Sequence, residues 1–85
     1  MDQKIKKKMQ EKLKSSKAFI GLNSTVRAAG TGELDFIVYA SNVSEEMLVE
    51  ISKLGVEKYE YDGDSEALSI ACGKSFNVTV LGLQK

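Results

Sequence analysis

Asn23, Ser24, Thr25 and Arg27 fall within five residues of one another, directly behind an apolar run that stops at Gly21. The segment Ile20-Gly21-Leu22-Asn23-Ser24-Thr25-Val26-Arg27 reads as a strand ending at Gly21, with a helix opening at Asn23, Ser24 and Thr25. A helix start leaves backbone N–H groups without intrahelical acceptors, and its macrodipole favours negative charge. Hydroxyls, an amide and the Arg27 cation beside those groups suit an anionic, hydrogen-bonding partner such as a nucleic-acid backbone.

Little else in the chain offers chemistry. There is no histidine to act as a general base, and no serine or cysteine has an activating neighbour in sequence. Cys72, four residues after Leu68, reads as a small buried apolar residue rather than a reactive thiol. Glu60, Asp62, Asp64 and Glu66 lack the distal glutamate of a calcium loop and read as acids of a solvated turn and helix start. One cysteine and no histidine argue against a zinc site. Gly30-Thr31-Gly32 lacks the third glycine of a dinucleotide fingerprint. Gly73-Lys74-Ser75 ends a helix and precedes a strand, the reverse of a phosphate-binding loop. The expectation is therefore no catalytic residue, no metal and no cofactor.

The elements that hold these residues alternate. Ile5, Met9 and Leu13 recur every four residues, so residues 1–16 form a lysine-rich amphipathic helix ended by Ser15-Ser16. Ala18 to Leu22 is a short buried strand. Asn23 or Ser24 caps the next helix, which stops at Gly30. Leu34 to Ala40 is nearly continuous in apolar and aromatic residues, as in a strand covered on both faces. Ser44 caps a third helix that has Glu45 and Glu46 in its first turn, Lys53 in its last and Gly55 beyond it. Val56 to Tyr61 reads as a half-exposed strand, Glu66 to Cys72 as a helix ended by Gly73, and Phe76 to Leu83 as the last strand. Helix and strand in alternation imply an α/β domain with helices on both faces of the sheet.

Three junctions could gather at one end of that sheet: Gly21 to Arg27, Ser41 to Ser44, and Gly73 to Asn77. Ligands of α/β sheets commonly bind at such an end. Asn23, Ser24, Thr25, Arg27, Asn42, Lys74 and Asn77 supply donors there, and Phe76 supplies an aromatic ring. Donors with a stacking ring suit irregular or single-stranded RNA. The bland account remains open: Asn23, Ser24 and Asn42 as helix caps, and Phe76 as a core residue at the start of a strand.

Three stretches in register carry a resemblance. Ile20 to Arg27, Ile37-Val38-Tyr39-Ala40-Ser41-Asn42 and Ala71-Cys72-Gly73-Lys74-Ser75-Phe76-Asn77-Val78 match in order and spacing between about Phe19 and Leu83. In these stretches the chain resembles the thirty-e family of archaeal and eukaryotic large-subunit ribosomal proteins, within the kink-turn RNA-binding superfamily. The resemblance implies a three-layer α/β/α sandwich on a four-stranded mixed sheet, clamping a kinked internal loop of ribosomal RNA. It implies that Gly21, Asn23, Ser24 and Arg27 meet the backbone and base edges at the kink, that Thr25 and Lys74 are also RNA-binding, and that Asn42 hydrogen-bonds a base. Phe76 would pack on an extruded purine, with the backbone of Asn77 and Val78 lining the same pocket. It further implies a non-enzymatic, cytoplasmic, ribosome-associated protein, monomeric when free, whose partners are ribosomal RNA and neighbouring ribosomal proteins. A kink-turn protein of an RNA modification or processing particle is the nearest alternative, and a protein-interaction adaptor without RNA is the alternative from another class.

Length and charge fit one small domain. Eighty-five residues, 42% of them hydrophobic, suffice for a single core. No apolar run approaches the roughly 20 residues that span a bilayer, and the lysine-rich start lacks the apolar stretch of a secretory signal. Net charge is zero, yet the first 17 residues hold seven lysines against Asp2 and Glu11, leaving five cations and ten anions for the rest. A basic segment on an acidic body reads either as a face for an anionic partner or as a solvated helix surface.

Overall fold

The sheet that organises the chain has the order β1-β4-β2-β3, with the two most buried strands at its centre. These are β2 (Leu34–Tyr39) and β4 (Val80–Gln84), while β1 (Ala18–Ile20) and β3 (Lys58–Glu60) form the edges. The computed structural model describes residues 3–15 and 18–85. Asp2, Ser16 and Lys17 of the sequence reading lie outside those residues. β4 runs antiparallel to β1 and β2, and β3 runs parallel to β2, so the sheet is mixed. The helices are α1 (Gln3–Lys14), α2 (Leu22–Gly30), α3 (Glu45–Ser52) and α4 (Ser65–Cys72). None of these described helices is long and apolar enough to cross a membrane.

Helices cover both faces, as the alternating element order requires. On one face Met9 of α1 and Leu68 of α4 pack against Phe36, Val38, Leu81 and Leu83. On the other, Ala28 of α2 and Ile51 of α3 pack against Leu34, Ile37 and Val80. Consecutive residues of β2 from Phe36 to Val38 thus serve opposite clusters, which is why the strand is apolar without a break after Asp35. The result is the expected three-layer α/β/α sandwich. A bulge in β2 opposite β4 turns Asp35 outward, where its carboxylate pairs with Lys12 of α1 at 3.5 Å. Lys12 also donates to the Gln84 carbonyl, which ties α1 to the far end of β4.

Several boundaries differ from the sequence reading: β1 ends at Ile20 rather than Leu22 and is half-buried, β2 ends at Tyr39 rather than Ala40, β3 spans Lys58–Glu60 rather than Val56 to Tyr61, and α4 starts at Ser65. α2 begins at Leu22 with Gly21 as its N-cap, so neither Asn23 nor Ser24 is the cap. Lys53 is the C-cap of α3, one residue past its last turn. The last strand starts at Val80 rather than Phe76, because residues 76–79 must carry the chain from α4 round to the end of the sheet and cannot pair until they reach it. Ser44 does cap α3, accepting a hydrogen bond from the Met47 N–H at 3.3 Å. Asp64 caps α4 in the same way, accepting from Ala67 N–H at 3.0 Å, which gives one acid of the turn a structural task.

Candidate nucleic-acid interface

Antiparallel pairing brings the exits of β1 and β2 to the entry of β4. Ile20 stands opposite Leu81 and Tyr39 opposite Val80. Just beyond the strands, Gly21 N–H donates to the Val80 carbonyl at 2.9 Å, and Ala40 N–H donates to the Thr79 carbonyl at 2.8 Å. All three expected junctions therefore meet at one end of the sheet.

At the first junction the chain turns sharply. Gly21 has φ 92° and ψ 164°, a backbone region essentially restricted to glycine. No atom lies within 4 Å of where its Cβ would be, so the glycine is needed for conformation and not for space. Thr25 holds the turn from inside: it is fully buried, and both its hydroxyl (2.8 Å) and its N–H (3.2 Å) donate to the Gly21 carbonyl. Its side chain faces the core, which makes it a support of the junction. The N–H groups of Leu22, Asn23 and Ser24, ahead of that first helical bond, have no intrahelical acceptor. Asn23 and Ser24 are exposed and, with Gly21 as the cap, their side chains are not used in capping. Arg27, also exposed, follows them by four and three residues and shares their helix face.

The second junction is stapled to α4. The Asn42 side-chain carbonyl accepts from Ser65 N–H at 2.9 Å, and its amide nitrogen donates to Ser65 Oγ at 3.2 Å. Ser41 N–H donates to the Gly63 carbonyl at 2.9 Å alongside. Gly63 has no room for a side chain, since a Cβ there would lie 2.7 Å from that of Ala67. Sequence reading found Asn42 but missed Ser65 and Gly63. Their contacts span more than 20 residues and exist only because β3 lies parallel to β2.

The third junction leaves α4 through a Schellman turn. Gly73 N–H donates to the Ile70 carbonyl and Lys74 N–H to that of Ser69, both at 3.0 Å. Lys74, Ser75, Phe76 and Asn77 are then exposed. Phe76 is 56% exposed, which rules out the core reading of its ring. Val78, 1% exposed, returns to the core, so only its backbone can face a ligand. Cys72 is half-buried rather than buried; burial pushes its thiol up from the ordinary value, against a smaller downward pull from Lys74.

Charge is uneven around this end. A groove of about 590 Å³ between Leu22 and α3 has Met47 and Val49 in its lining and the carboxylates of Glu45, Glu46 and Glu50 around them. Phosphate is repelled there, whereas the α2 start and the segment from Lys74 to Asn77 present donors and cations.

Comparison with known proteins fits this architecture. Residues 3–85 match the model of the ribosomal protein L7Ae/L30e/S12e/Gadd45 family. The chain belongs to that family. Among curated relatives, it is 32% identical to the large ribosomal subunit protein eL30 of Methanosarcina mazei over 79 residues, covering 93% of this chain and 77% of the relative. It is 33% identical to eL30 of Branchiostoma belcheri, covering 93% and 73%. The fold is shared with a Giardia lamblia 15.5 kD RNA binding protein (TM-score 0.74, 17% identity, 89% of this chain and 67% of that one). It is shared also with a Bacillus halodurans protein of unknown function (TM-score 0.76, 16% identity, 89% and 79%). The L7Ae/L30e family assignment agrees with the resemblance seen in the three sequence stretches.

Proposed function

We propose that this L7Ae/L30e-family chain is an eL30-like, RNA-binding structural protein of the large ribosomal subunit, without enzymatic activity, and that the sheet end formed by its three junctions grips a kink-turn in ribosomal RNA. The observation that carries this reading is the exposed Phe76 ring, on the segment that leads into β4 at the same sheet end where α2 opens with N–H groups that have no intrahelical acceptor. A ring free to stack and backbone donors aimed at phosphate are complementary to a loop with an extruded base. On this reading Gly21, Asn23, Ser24 and Arg27 meet the RNA backbone and base edges, supported by Thr25. Asn42 presents one base contact from its stapled loop. Lys74, Phe76 and the backbone of Asn77 and Val78 line the pocket. The partners are ribosomal RNA and adjoining ribosomal proteins in the cytoplasm, with the free chain a monomer.

The test is binding of a kink-turn RNA against a straight duplex of equal length in a gel-shift series. Preference for the kinked RNA supports the proposal; equal or absent binding of the two rejects it. Co-sedimentation with large ribosomal subunits through high salt separates a ribosomal role from one in a processing particle.

A further inference from the structure

The six lysines of α1 do not all do the same work. Lys12 is committed to Asp35 and the Gln84 carbonyl, and Lys6 lies over the Tyr61 ring with its Nζ 5.6 Å from the centroid. Lys7 and Lys14 are exposed and have no ion pair among the described residues. With Gln3 and Gln10 they recur at intervals of four, three and four residues, which lines up one face of a helix.

That face borders two shallow troughs that share Gln10. One, of about 380 Å³, runs between Gln10, Leu13 and Lys14 and the end of α4 from Ile70 to Gly73. The other, of about 550 Å³, follows the N-terminal half of α1 over Gln3, Lys4, Lys6, Lys7 and Gln10. No carboxylate of a described residue lines either trough. Glu11 and Asp35 fall in a separate trough with Lys8, Lys12 and Ser15. A path of cations and amide donors thus leads from Gly73, where the exposed Lys74–Asn77 segment begins, along a helix roughly 18 Å long, with the Asp62 carboxylate near Lys6 beside its N-terminal half.

We propose that this face of α1 is a second RNA contact, carrying the phosphate backbone of one duplex stem as it leaves the kinked loop. The inference rests on the kink-turn reading above and adds to it which side of the protein the stem follows. A polyanion with regularly spaced charges matches a linear array in which donors alternate with cations, and continuity with the Gly73 segment makes RNA the occupant. The opposite side of the molecule, with Glu45, Glu46 and Glu50 on α3, repels the same stem.

The experiment measures affinity of the full chain for a kink-turn RNA with two long stems, and for versions with either stem cut back, across roughly 50 to 200 mM salt. The double variant Lys7→Gln/Lys14→Gln is expected to lower the slope of log K against log salt by about 1.8, at about 0.9 per duplex phosphate. Shortening one of the two stems is expected to cost the wild type the same slope and the variant nothing further. Lys8→Gln/Lys58→Gln removes equal charge elsewhere and is expected to leave the slope nearly unchanged. A wild-type slope retained in Lys7→Gln/Lys14→Gln, with kink-turn binding intact, overturns this inference alone and is the outcome expected if α1 served an acidic protein instead. Failure of the wild type to bind any kinked RNA overturns this inference and the reading beneath it.

Discussion

Phe76 and Gly21 show how differently two single residues serve the same end of the molecule. Phe76 projects into solvent, so removing its ring leaves no cavity. Phe76→Ala is expected to weaken kink-turn binding by about 1–3 kcal/mol, the value of a base–aromatic stack, while the melting temperature stays within error of wild type. A large fall in melting temperature would return the ring to the core. Gly21 acts through its backbone: Gly21→Ala forces a side chain into φ 92° and is expected to cost about 1–3 kcal/mol of stability in chemical denaturation. Cys72 gives a pH-dependent signal. Because burial raises its thiol pKa, the native thiol holds its proton where a free cysteine has begun to lose it. Its alkylation at mildly alkaline pH is therefore expected to lag behind that of the unfolded chain. The associated stability is complete below the ordinary thiol range and is lost as pH climbs through the raised value. Residue types alone pointed to Asn23, Ser24 and Arg27 as exposed donors. They could not separate Thr25, whose hydroxyl turns inward, or decide the fate of the Phe76 ring.

At the scale of elements, the junctions depend on one another through α4. Its N-terminus is held by Asn42 through Ser65 and by the tight approach of Gly63 to Ala67, and its C-terminus releases the segment that bears Phe76. Gly63→Ala is expected to push the start of α4 away, costing about 1–3 kcal/mol as overpacking does. It is also expected to weaken RNA binding, although Gly63 itself is not among the proposed contacts. Equilibrium unfolding with binding at a matched folded fraction checks both effects. Helix and strand order was legible in the chain because each apolar stretch has its own period and each helix its own stop. The Ser44 cap was legible too, since its signal is local. The start of β4 was not: Phe76 to Leu83 has strand composition throughout, and only the distance from the end of α4 to the sheet delays pairing until Val80. The Gly21 cap escaped for a similar reason, as serine and asparagine are the usual caps and glycine was read only as the end of a strand.

For the whole molecule, a neutral net charge conceals a polarity across the sheet, with α1 on one face and the acidic α3 on the other. Composition revealed the imbalance along the sequence. Its meaning in space needed the topology, which lays α1 beside the end of α4 and sets α3 against the opposite face. The family was legible from three short stretches in register, and those stretches meet at one end of the folded sheet. Titration of the isotopically labelled chain with a kink-turn RNA, followed by its backbone amide resonances, tests most directly whether that end is the RNA-binding surface. The account predicts the largest shifts at Leu22, Asn23, Ser24, Asn42 and the stretch from Lys74 to Asn77, with Gly32, Gly55 and the amides of α3 from Val49 to Ser52 nearly still. Shifts centred on α3, or at the opposite end of the sheet around Gly32 and Gly55, with Leu22 to Ser24 unmoved, would contradict it.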